Sequence, residues 1–526
     1  MKKVLISEKV NSKLVDILKS NSLDVDYLPE LKKDELSAII GKYQILVVRS
    51  ATQVTKEIIE KADNLELVGR AGTGVDNIDS DAATKKGIIV MNTPGGNTIS
   101  AAEHAFSLML SMCRHIPQAD KTMKDGKWDR KSFSGTELFG KNLGVIGLGK
   151  IGKEFALRAK AFEMNILGFD PLASAGFADE LGISLVSLDE LFTNADIISL
   201  HVPLTDETKN LIGKETIAKC KQGVKIVNCA RGGLINEPEL LEAIESGKVS
   251  SAAIDVYEEE PPTYWNLINH PKVVSTPHLG ASTDEAQEKV AVQIATQIVD
   301  WVNGNDLVGT VNAVAINLLK DEKVRPYVSL AEKIGSLHVQ LLQSNINKII
   351  ITYRGQLLGK SSELIKAALL KGILQKMIAQ PVNLINAPLL AEAKGIILEE
   401  VKSTPDGIYS NLLSVQVVSE TGSKKIAGTI MLNDDLRIVS IDDFNAEFKP
   451  DGNIVLYYNI DKPGVLAKVS SVLSESNINI AGLSLSRFEK GKQAVTVISV
   501  DDTPKAEVIE KMKNLEAVTA VFTIKF

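Results

Sequence analysis

Cysteine and histidine are scarce in this sequence. It has 526 residues but only three cysteines and six histidines. Cys113, Cys220 and Cys229 lack the spacing of a zinc site, and their odd number does not suggest a disulfide framework. We therefore expect reduced thiols and no bound metal, with one redox-sensitive cysteine as the alternative.

Long apolar runs and excess positive charge are also missing. No uncharged apolar stretch reaches the ~18–20 residues that a membrane span needs, and residues 1–10 lack the apolar run of a signal peptide. The net charge of −7 gives no electrostatic reason to bind nucleic acid or an anionic membrane. We expect a cytoplasmic protein whose partners include neither.

Short β-branched runs alternate with amphipathic segments in two successive sets. The runs lie at residues 4–6, 45–48, 67–68 and 88–90, and then at 143–146, 166–169, 197–200, 225–227, 252–254 and 273–275. Such alternation is typical of parallel sheets with crossover helices. It predicts an α/β fold with two doubly wound lobes, one flavodoxin-like (residues 1–96 and 283–315) and one Rossmann-like (97–282). A helix near Ser100 is expected to carry a capping box with Glu103, and residues 281–302 are expected to form a helix that returns to the first lobe.

The remaining chain has a different pattern. Residues 318–450 mix helical and strand signals, which predicts an intervening α+β domain, and a turn-rich break follows at 448–452. Residues 453–526 follow the order β-α-β-β-α-β. The predicted strands are 454–459, 478–485, 493–500 and 517–526, with helices near 464–475 and 504–514. That order predicts a ferredoxin-like domain.

A GxGxxG loop follows the first strand of the second lobe. Gly147 permits the tight turn, Gly149 lets the backbone approach a pyrophosphate, and Gly152 lets helix and strand pack closely. The helix that starts with Lys150 and Ile151 would offer its N–H groups to the phosphates. Asp170, at the end of the next strand, can accept hydrogen bonds from ribose hydroxyls and would repel a 2′-phosphate. The loop therefore predicts NAD rather than NADP.

Polar clusters follow three more predicted strands, at the sheet edge where open α/β sheets bind ligands. They are residues 229–233 (CARGG), 255–262 (DVYEEEPP) and 276–281 (TPHLGA). With residues 70–77 (RAGTGVDN) and 201–204 (HVPL), they resemble the signatures of the D-isomer-specific 2-hydroxyacid dehydrogenases. The resemblance covers about residues 1–315, and it is specific because five separated motifs occur in the same order.

The resemblance implies that Arg231, Glu260 and His278 are catalytic in the NAD-dependent oxidation of a 2-hydroxy acid. A histidine suits transfer of the hydroxyl proton in both directions. A carboxylate beside it fixes its tautomer and stabilises the imidazolium. An arginine can hold the substrate carboxylate and polarise the forming carbonyl.

The resemblance also implies further cofactor contacts. Asp255 is expected near the nicotinamide carboxamide, and His201 is expected to have a positioning role without proton transfer. The remaining residues expected in the cofactor cleft are Thr73, Val202, Thr208, Cys229, Ala230, Gly280 and Ala281.

Candidate cations flank the expected cleft and suggest a phosphorylated substrate. In this respect the chain resembles the branch of the family that oxidises 3-phospho-D-glycerate in the first step of L-serine biosynthesis. That branch implies that Arg49 and Arg70 contact the phosphate end of the substrate. It also implies that Arg130 can reach the active site of a neighbouring subunit, within a homodimer or homotetramer. The N–H groups of Gly74 and Val75 are expected at the substrate carboxylate. A glyoxylate or hydroxypyruvate reductase is the alternative enzyme, and an NAD-sensing corepressor is the alternative from another class.

The C-terminal residues resemble the ACT domain, a ligand-responsive module. The similarity rests on residues 459–466 (NIDKPGVL) and 477–480 (NINI). It implies an L-serine site in which Asp461 faces the amino group, Gly464 the carboxylate and Asn479 the side chain. The alternative is a dimerisation module without a ligand. The intervening segment resembles a domain with an allosteric anion-binding or substrate-binding role.

Overall fold

The computed structural model describes residues 1–305, 308–342, 344–404, 407–420 and 422–526. Its first sheet has five parallel strands in the order β2-β1-β3-β4-β5, which is the flavodoxin-like order. The elements are β1 (Lys3–Ile6), α1 (Ser12–Ser20), β2 (Asp24–Tyr27), α2 (Lys33–Ile39), β3 (Ile45–Val48), α3 (Lys56–Glu60), β4 (Leu67–Arg70), α4 (Ser80–Lys86) and β5 (Ile89–Met91). Strand β2 was not predicted, because it alternates acidic and apolar residues and lies half-exposed at the sheet edge.

The second sheet has seven parallel strands in the order β12-β11-β10-β9-β6-β7-β8. The elements are α5 (Thr98–Cys113), α6 (Ile116–Lys124), β6 (Asn142–Ile146), α7 (Lys150–Ala161), β7 (Asn165–Phe169), α8 (Ala175–Leu181), β8 (Ser184–Leu185), α9 (Leu188–Asn194), β9 (Ile197–Leu200), α10 (Lys214–Lys219), β10 (Val224–Asn228), α11 (Glu237–Glu245), β11 (Val249–Ile254), α12 (Trp265–Ile268) and β12 (Val273–Ser275). From β8 to β11 the order is that of a Rossmann sheet. The α/β prediction with two doubly wound lobes is confirmed, although the two-residue strand β8 was missed.

The predicted capping box at Ser100 is wrong. Helix α5 begins at Thr98 after Asn97, so Ser100 lies inside the first turn. The Ser100 hydroxyl instead donates to the carbonyl oxygen of Gly280 at 2.8 Å, and Glu103 pairs with Arg158. The prediction fails because both side chains make tertiary contacts instead of bonding to the backbone at the start of the helix.

Helix α13 (Asp284–Val302) connects the second lobe back to the first. Its Val290, Ile294 and Ile298 are buried in one core with Val4 and Ile6 of β1. The predicted return of this helix to the first lobe is therefore confirmed. Because the chain crosses between the lobes here and again before α5, the polar ends of both sheets face a shared cleft.

The next part of the chain forms a mixed sheet covered by helices. Its elements are α14 (Arg325–Leu342), β13 (Ile346–Arg354), α15 (Gln356–Lys360), α16 (Ser362–Leu374), α17 (Ala387–Ala393), β14 (Ile397–Ser403), β15 (Leu412–Ser419), β16 (Gly422–Met431) and β17 (Asp435–Ile441). The strand order is β14-β13-β15-β16-β17, with β14 parallel to β13 and the other pairs antiparallel. Leucine and isoleucine side chains of α14 and α16 fill the core against this sheet.

The last part of the chain is an antiparallel sheet with two helices. Its elements are β18 (Asn453–Ile460), α18 (Val465–Glu475), β19 (Ile480–Arg487), β20 (Gln493–Val500), α19 (Ala506–Lys513) and β21 (Val518–Lys525). The strand order is β19-β20-β18-β21. This is the βαββαβ arrangement of the ferredoxin-like fold, as predicted.

Specific contacts tie the four parts of the chain together. The Asn383 amide donates to the carbonyl oxygen of Gly87 at 2.8 Å, which joins the mixed sheet's part to the first lobe. The rings of Phe444 and Phe488 lie 4.3 Å apart and join it to the last part. Within the described ranges, no helix is both long and apolar enough to cross a membrane. The same residues include no group of three or more His, Cys, Asp or Glu side chains placed to hold a metal ion.

Candidate active site

A cleft of about 500 Å³ lies between the two α/β lobes. Its walls are the segments that follow β3, β4, β9, β10, β11 and β12, at the carboxyl ends of the strands, where open α/β sheets bind ligands. The predicted site residues that line it are Arg49, Arg70, Thr73, Gly74, Ile151, Val202, Cys229, Ala230, Arg231, Glu260, His278, Gly280 and Ala281. The fold thus brings together side chains that lie far apart in the sequence.

The glycine loop has the geometry of a pyrophosphate site. Gly147 has φ +95°, and a Cβ there would lie 2.5 Å from the carbonyl oxygen of His201. A Cβ at Gly152 would lie 1.9 Å from the carbonyl oxygen of Gly147. In front of Gly149 the described residues leave the space open within 4 Å, and none of their side chains caps α7. The N–H groups of the first helical turn, at Lys150, Ile151 and Gly152, lie at the positive end of the helix and therefore fit an anionic phosphate.

The open space at Gly149 leads to a test of cofactor binding. Its φ of −63° suits any residue, so Gly149→Ala is expected to fold normally. The added methyl group would stand where the pyrophosphate must approach the backbone. We expect the Kd for NAD, measured by fluorescence titration, to rise about tenfold or more, since misfitting one methyl group costs about 1–3 kcal/mol. Gly359→Ala, at another open position in α15, is the matched control and should leave the Kd unchanged.

Asp170 fastens the glycine loop to the end of β7. Its Oδ2 accepts from the N–H of Leu148 at 2.8 Å, and its Oδ1 accepts from the N–H of Leu172 at 2.8 Å. Each carboxylate oxygen retains a second acceptor site for a ribose hydroxyl. The negative charge at this position also disfavours a 2′-phosphate, as expected for an NAD site.

The histidine of the HVPL segment is uncharged near neutral pH. Burial lowers the pKa of His201 to about 3, so the ring stays neutral. The ring lies 4.8 Å from that of Phe155 on α7, and its Nε2 is 2.9 Å from the hydroxyl of Ser199. His201 therefore packs the strand end against the cofactor helix.

His278 and Glu260 form a close pair in the cleft. Nδ1 of His278 lies 2.7 Å from Oε2 of Glu260, and Oε1 of Glu260 accepts from the N–H of Tyr257. With Nδ1–H donated to the carboxylate, Nε2 remains as the free nitrogen of the ring. The hydrogen bond to Glu260 raises the pKa of His278 and outweighs burial, which acts in the opposite direction. The pair can thus accept or release a proton at Nε2.

Asp255 holds the loop that carries His278. The side chain is fully buried, and its oxygens accept from the N–H groups of Leu279 and Gly280 at 2.8 and 2.9 Å. Nε2 of His104 lies 3.1 Å from Oδ1 of Asp255. Burial alone would raise the pKa of Asp255, but hydrogen bonds led by that of His104 lower it. The carboxylate is directed at this loop and at His104, which the sequence had not singled out.

Two arginines of the first lobe face the same cleft. The segment after β3 is held by Glu8, whose carboxylate accepts from the N–H groups of Arg49, Ala51 and Thr52. Nε of Arg70 donates to the carbonyl oxygen of Arg49 at 3.0 Å, and its Nη1 donates to that of Gly74. Glu8 was missed in the sequence, although it follows β1 and is buried.

Some predicted site residues do not line the cleft. The hydroxyl of Thr208 donates to the carbonyl oxygen of Pro203 at 2.7 Å, so it shapes the HVPL segment. The side chain of Val75 packs against the core of the first lobe, away from the cleft lining. Arg130 is exposed on the segment after α6 and does not reach this chain's own cleft.

The residues predicted to bind an effector have partners within the last part of the chain. Oδ2 of Asp461 accepts from Nη1 of Arg487 at 2.5 Å and from the N–H of Gly491 at 3.2 Å. The hydrogen bond from Gly491 and that from Arg487 lower the pKa of Asp461. The amide of Asn479 donates to Asp501 at 2.8 Å. Gly464, with φ +86°, precedes the first residue of α18 and is exposed.

Comparison with known proteins matches three segments of the chain to families. Residues 106–280 match the NAD-binding domain of the D-isomer-specific 2-hydroxyacid dehydrogenases. Residues 323–442 match the D-3-phosphoglycerate dehydrogenase intervening domain, and residues 454–517 match the ACT domain. The D-3-phosphoglycerate dehydrogenase of Archaeoglobus fulgidus is 44% identical over 519 residues, which cover 98% of both chains. The chain belongs to the D-3-phosphoglycerate dehydrogenase family.

A second relative in the D-3-phosphoglycerate dehydrogenase family is the enzyme of Methanocaldococcus jannaschii, which is 42% identical over all of both chains. Among solved structures, D-lactate dehydrogenase from Aquifex aeolicus, complexed with NAD and lactic acid, matches 58% of this chain and 96% of its own. The TM-score is 0.52 and the identity 29%. The Rossmann lobe of this D-3-phosphoglycerate dehydrogenase family member is thus an NAD-binding domain, and NAD is its cofactor.

Proposed function

We propose that the protein oxidises 3-phospho-D-glycerate to 3-phosphohydroxypyruvate with NAD, in the first step of L-serine biosynthesis. The observation that carries this is a single cleft that holds both a His278–Glu260 pair and three arginines. The pair suits removal of a hydroxyl proton. The guanidinium groups of Arg49, Arg70 and Arg231 suit a substrate with a carboxylate and a phosphate. The two relatives from Archaeoglobus fulgidus and Methanocaldococcus jannaschii are both named D-3-phosphoglycerate dehydrogenase.

Each catalytic side chain has a distinct role in this proposal. Arg231 and the N–H groups of Gly74 and Val75 hold the substrate carboxylate. Nε2 of His278 takes the proton of the C2 hydroxyl, and Glu260 stabilises the resulting imidazolium. Bound NAD supplies the acceptor for the hydride that leaves C2. Closure of the cleft excludes water while the carbonyl forms.

The cofactor side of the cleft divides into three regions. Gly147, Gly149, Lys150, Ile151 and Gly152 would hold the pyrophosphate, and Asp170 the adenosine ribose. The cleft residues near the nicotinamide would be Thr73, Val202, Cys229, Ala230, Gly280 and Ala281. Asp255 would act there through the loop that it holds, and Thr208 through the HVPL segment.

A substrate panel tests the proposal. Purified protein is assayed at alkaline pH for NADH formation from 3-phosphoglycerate, D-lactate and glycerate, and in reverse with phosphohydroxypyruvate, hydroxypyruvate and glyoxylate. We expect kcat/KM to be highest for the phosphorylated pair by about 100-fold, because two charge-assisted hydrogen bonds of about 1.5 kcal/mol each act on the phosphate. Equal or better turnover of hydroxypyruvate or glyoxylate would identify a reductase instead.

We also propose that residues 453–526 bind L-serine and that serine lowers the activity. Asp461 would receive the amino group, Gly464 the carboxylate and Asn479 the side chain. Because Arg487 already pairs with Oδ2 of Asp461, it would compete with the serine amino group for this carboxylate.

A serine titration of initial rates can test this site. Arg487→Ala removes the competing cation and is expected to lower the half-inhibitory serine concentration about threefold, a modest effect because the ion pair is exposed. Asp461→Ala should abolish the response. Lys490→Ala, on the same hairpin, is the matched control. If serine has no effect on the parent protein, the serine proposal is overturned, and a dimerisation module without a ligand is the remaining alternative.

Each part of the chain has a separate role in this proposal. Residues 1–96 and 283–315 would bind substrate and 97–282 NAD, while 318–450 would have an allosteric anion-binding or substrate-binding role. We propose a cytoplasmic homodimer or homotetramer in which Arg130 reaches a neighbouring subunit's site. Exposed Trp128 and Phe139, which lie on the same segment after α6 as Arg130, support an interface there. Size-exclusion chromatography with light scattering would identify a monomer if this is wrong.

A further inference from the structure

Asp76 and Arg231 form an ion pair across the cleft. Asp76 lies in the loop after β4 of the first lobe, and Arg231 follows β10 of the second. Oδ2 of Asp76 is 3.1 Å from Nε of Arg231, and both residues line the cleft. The pair therefore joins the two lobes at the point where the substrate would bind.

The donors of Arg231 are divided between protein and cleft. Its Nη1 donates to the carbonyl oxygen of Ala230 at 2.7 Å, and its Nε faces Asp76. A guanidinium has five N–H groups, so those of Nη2 remain for another acceptor. A Cβ on Gly74 would lie only 2.3 Å from Nη2, which shows that Nη2 points at the loop proposed to receive the substrate carboxylate.

A second carboxylate in this cleft, besides that of Glu260, is unexpected on electrostatic grounds. The substrate proposed above carries a carboxylate and a phosphate, so Asp76 repels it. Asp76 has a compensating effect on the arginines, because Arg49, Arg70 and Arg231 crowd the same cleft. Burial lowers the pKa of Arg70, the charges of Arg231 and Arg49 act in the same direction, and Asp76 opposes them.

We propose that Asp76 is a positioning residue that orients the guanidinium of Arg231 toward the substrate carboxylate; this rests on the function proposed above. Asp76 does not touch the reacting atoms. It fixes the Nε edge of Arg231, so that the Nη2 end meets the substrate next to Gly74 when the lobes close. A free guanidinium would have to be ordered at each binding event, and ordering a long side chain has an entropic cost.

The test compares Asp76→Ala and Asp76→Asn, with Asp81→Asn on α4 as the matched control. For Asp76→Ala we expect the KM for 3-phosphoglycerate to rise about tenfold with a smaller fall in kcat. The Kd for NAD and the Tm should not change. Asp76→Asn should lie closer to the parent, because an amide oxygen can still accept from Nε. An unchanged or lower KM in Asp76→Ala, or Asp76→Asn the more damaged of the two, overturns the proposal.

A double variant tests whether Asp76 acts through Arg231. In an Arg231→Ala background, Asp76→Ala is expected to change the Kd for 3-phosphoglycerate, measured by calorimetry, less than twofold. Weakening by the same factor as in the parent would overturn the proposal. If the panel shows that another 2-hydroxy acid is the substrate, the same variants are measured with that acid. Every 2-hydroxy acid carries the carboxylate that Arg231 would hold, so the two proposals can fail separately.

Discussion

Replacing His278 with alanine is expected to lower kcat for oxidation by about 10²- to 10⁴-fold, the usual contribution of a positioned acid or base. Among the residues described, its ring is the one imidazole in the cleft that pairs with a carboxylate. The Kd for NAD should stay within twofold of the parent, because the glycine loop is untouched. Near-normal turnover of His278→Ala would remove this residue from the proton transfer.

The pH dependence gives the same assignment an independent check. Glu260 raises the pKa of His278, so the ring keeps its proton to higher pH than an isolated histidine. Oxidation needs the neutral ring, so its kcat/KM should rise with pH through that raised pKa. Reduction needs the protonated ring and should fall over the same interval. In Glu260→Gln the carboxylate charge is lost, so the rise of oxidation and the fall of reduction should both move to lower pH. We call these two pH-dependent changes the two limbs.

Stopped-flow measurements of both directions would resolve the two limbs. The matched control is Glu259→Gln, since Glu259 neighbours Glu260 but pairs with Thr263. It should leave both limbs in place. A shift of equal size in the control would assign the effect to the general charge of the acidic segment rather than to the Glu260 contact.

The cleft residues that directly follow buried strands were predictable from the sequence. Arg231 and His278 each follow a buried apolar run, and parallel strands bring such ends to one edge of a sheet. The GxGxxG loop was equally clear, because the glycine spacing is a local pattern and Gly152 packs directly on the carbonyl oxygen of Gly147 in the same loop. Strand β2 was missed because its half-exposed sequence carries no apolar run.

Side-chain pairs between distant segments could not be read from the sequence. Asp76 and Arg231 meet only because two separately folded lobes face each other. Arg487 reaches Asp461 because β20 pairs with β19, which carries Arg487, and with β18, which Asp461 follows. In both cases the residue types were visible, but the partner depends on tertiary geometry that has no local periodicity.

Arg70→Ala is expected to raise the KM for 3-phosphoglycerate by about 10- to 150-fold, which corresponds to about 1.5–3 kcal/mol for a lost charge-assisted hydrogen bond. Arg70 is fixed by its hydrogen bonds to the carbonyl oxygens of Arg49 and Gly74, so its guanidinium is already ordered before substrate binds. Arg70→Lys keeps the charge but loses the planar fork, and it should recover only part of the loss.

The decisive comparison is between substrates with and without a phosphate. In Arg70→Ala, the KM for hydroxypyruvate should change less than threefold, because that substrate lacks the group that Arg70 would bind. An equal rise for both substrates would mean that Arg70 supports the loop around Gly74, through the hydrogen bond that it donates there, and does not recognise phosphate. The ratio of the two KM changes therefore distinguishes phosphate recognition by Arg70 from its support of the loop around Gly74. The position of Arg70 in the structure is compatible with both roles.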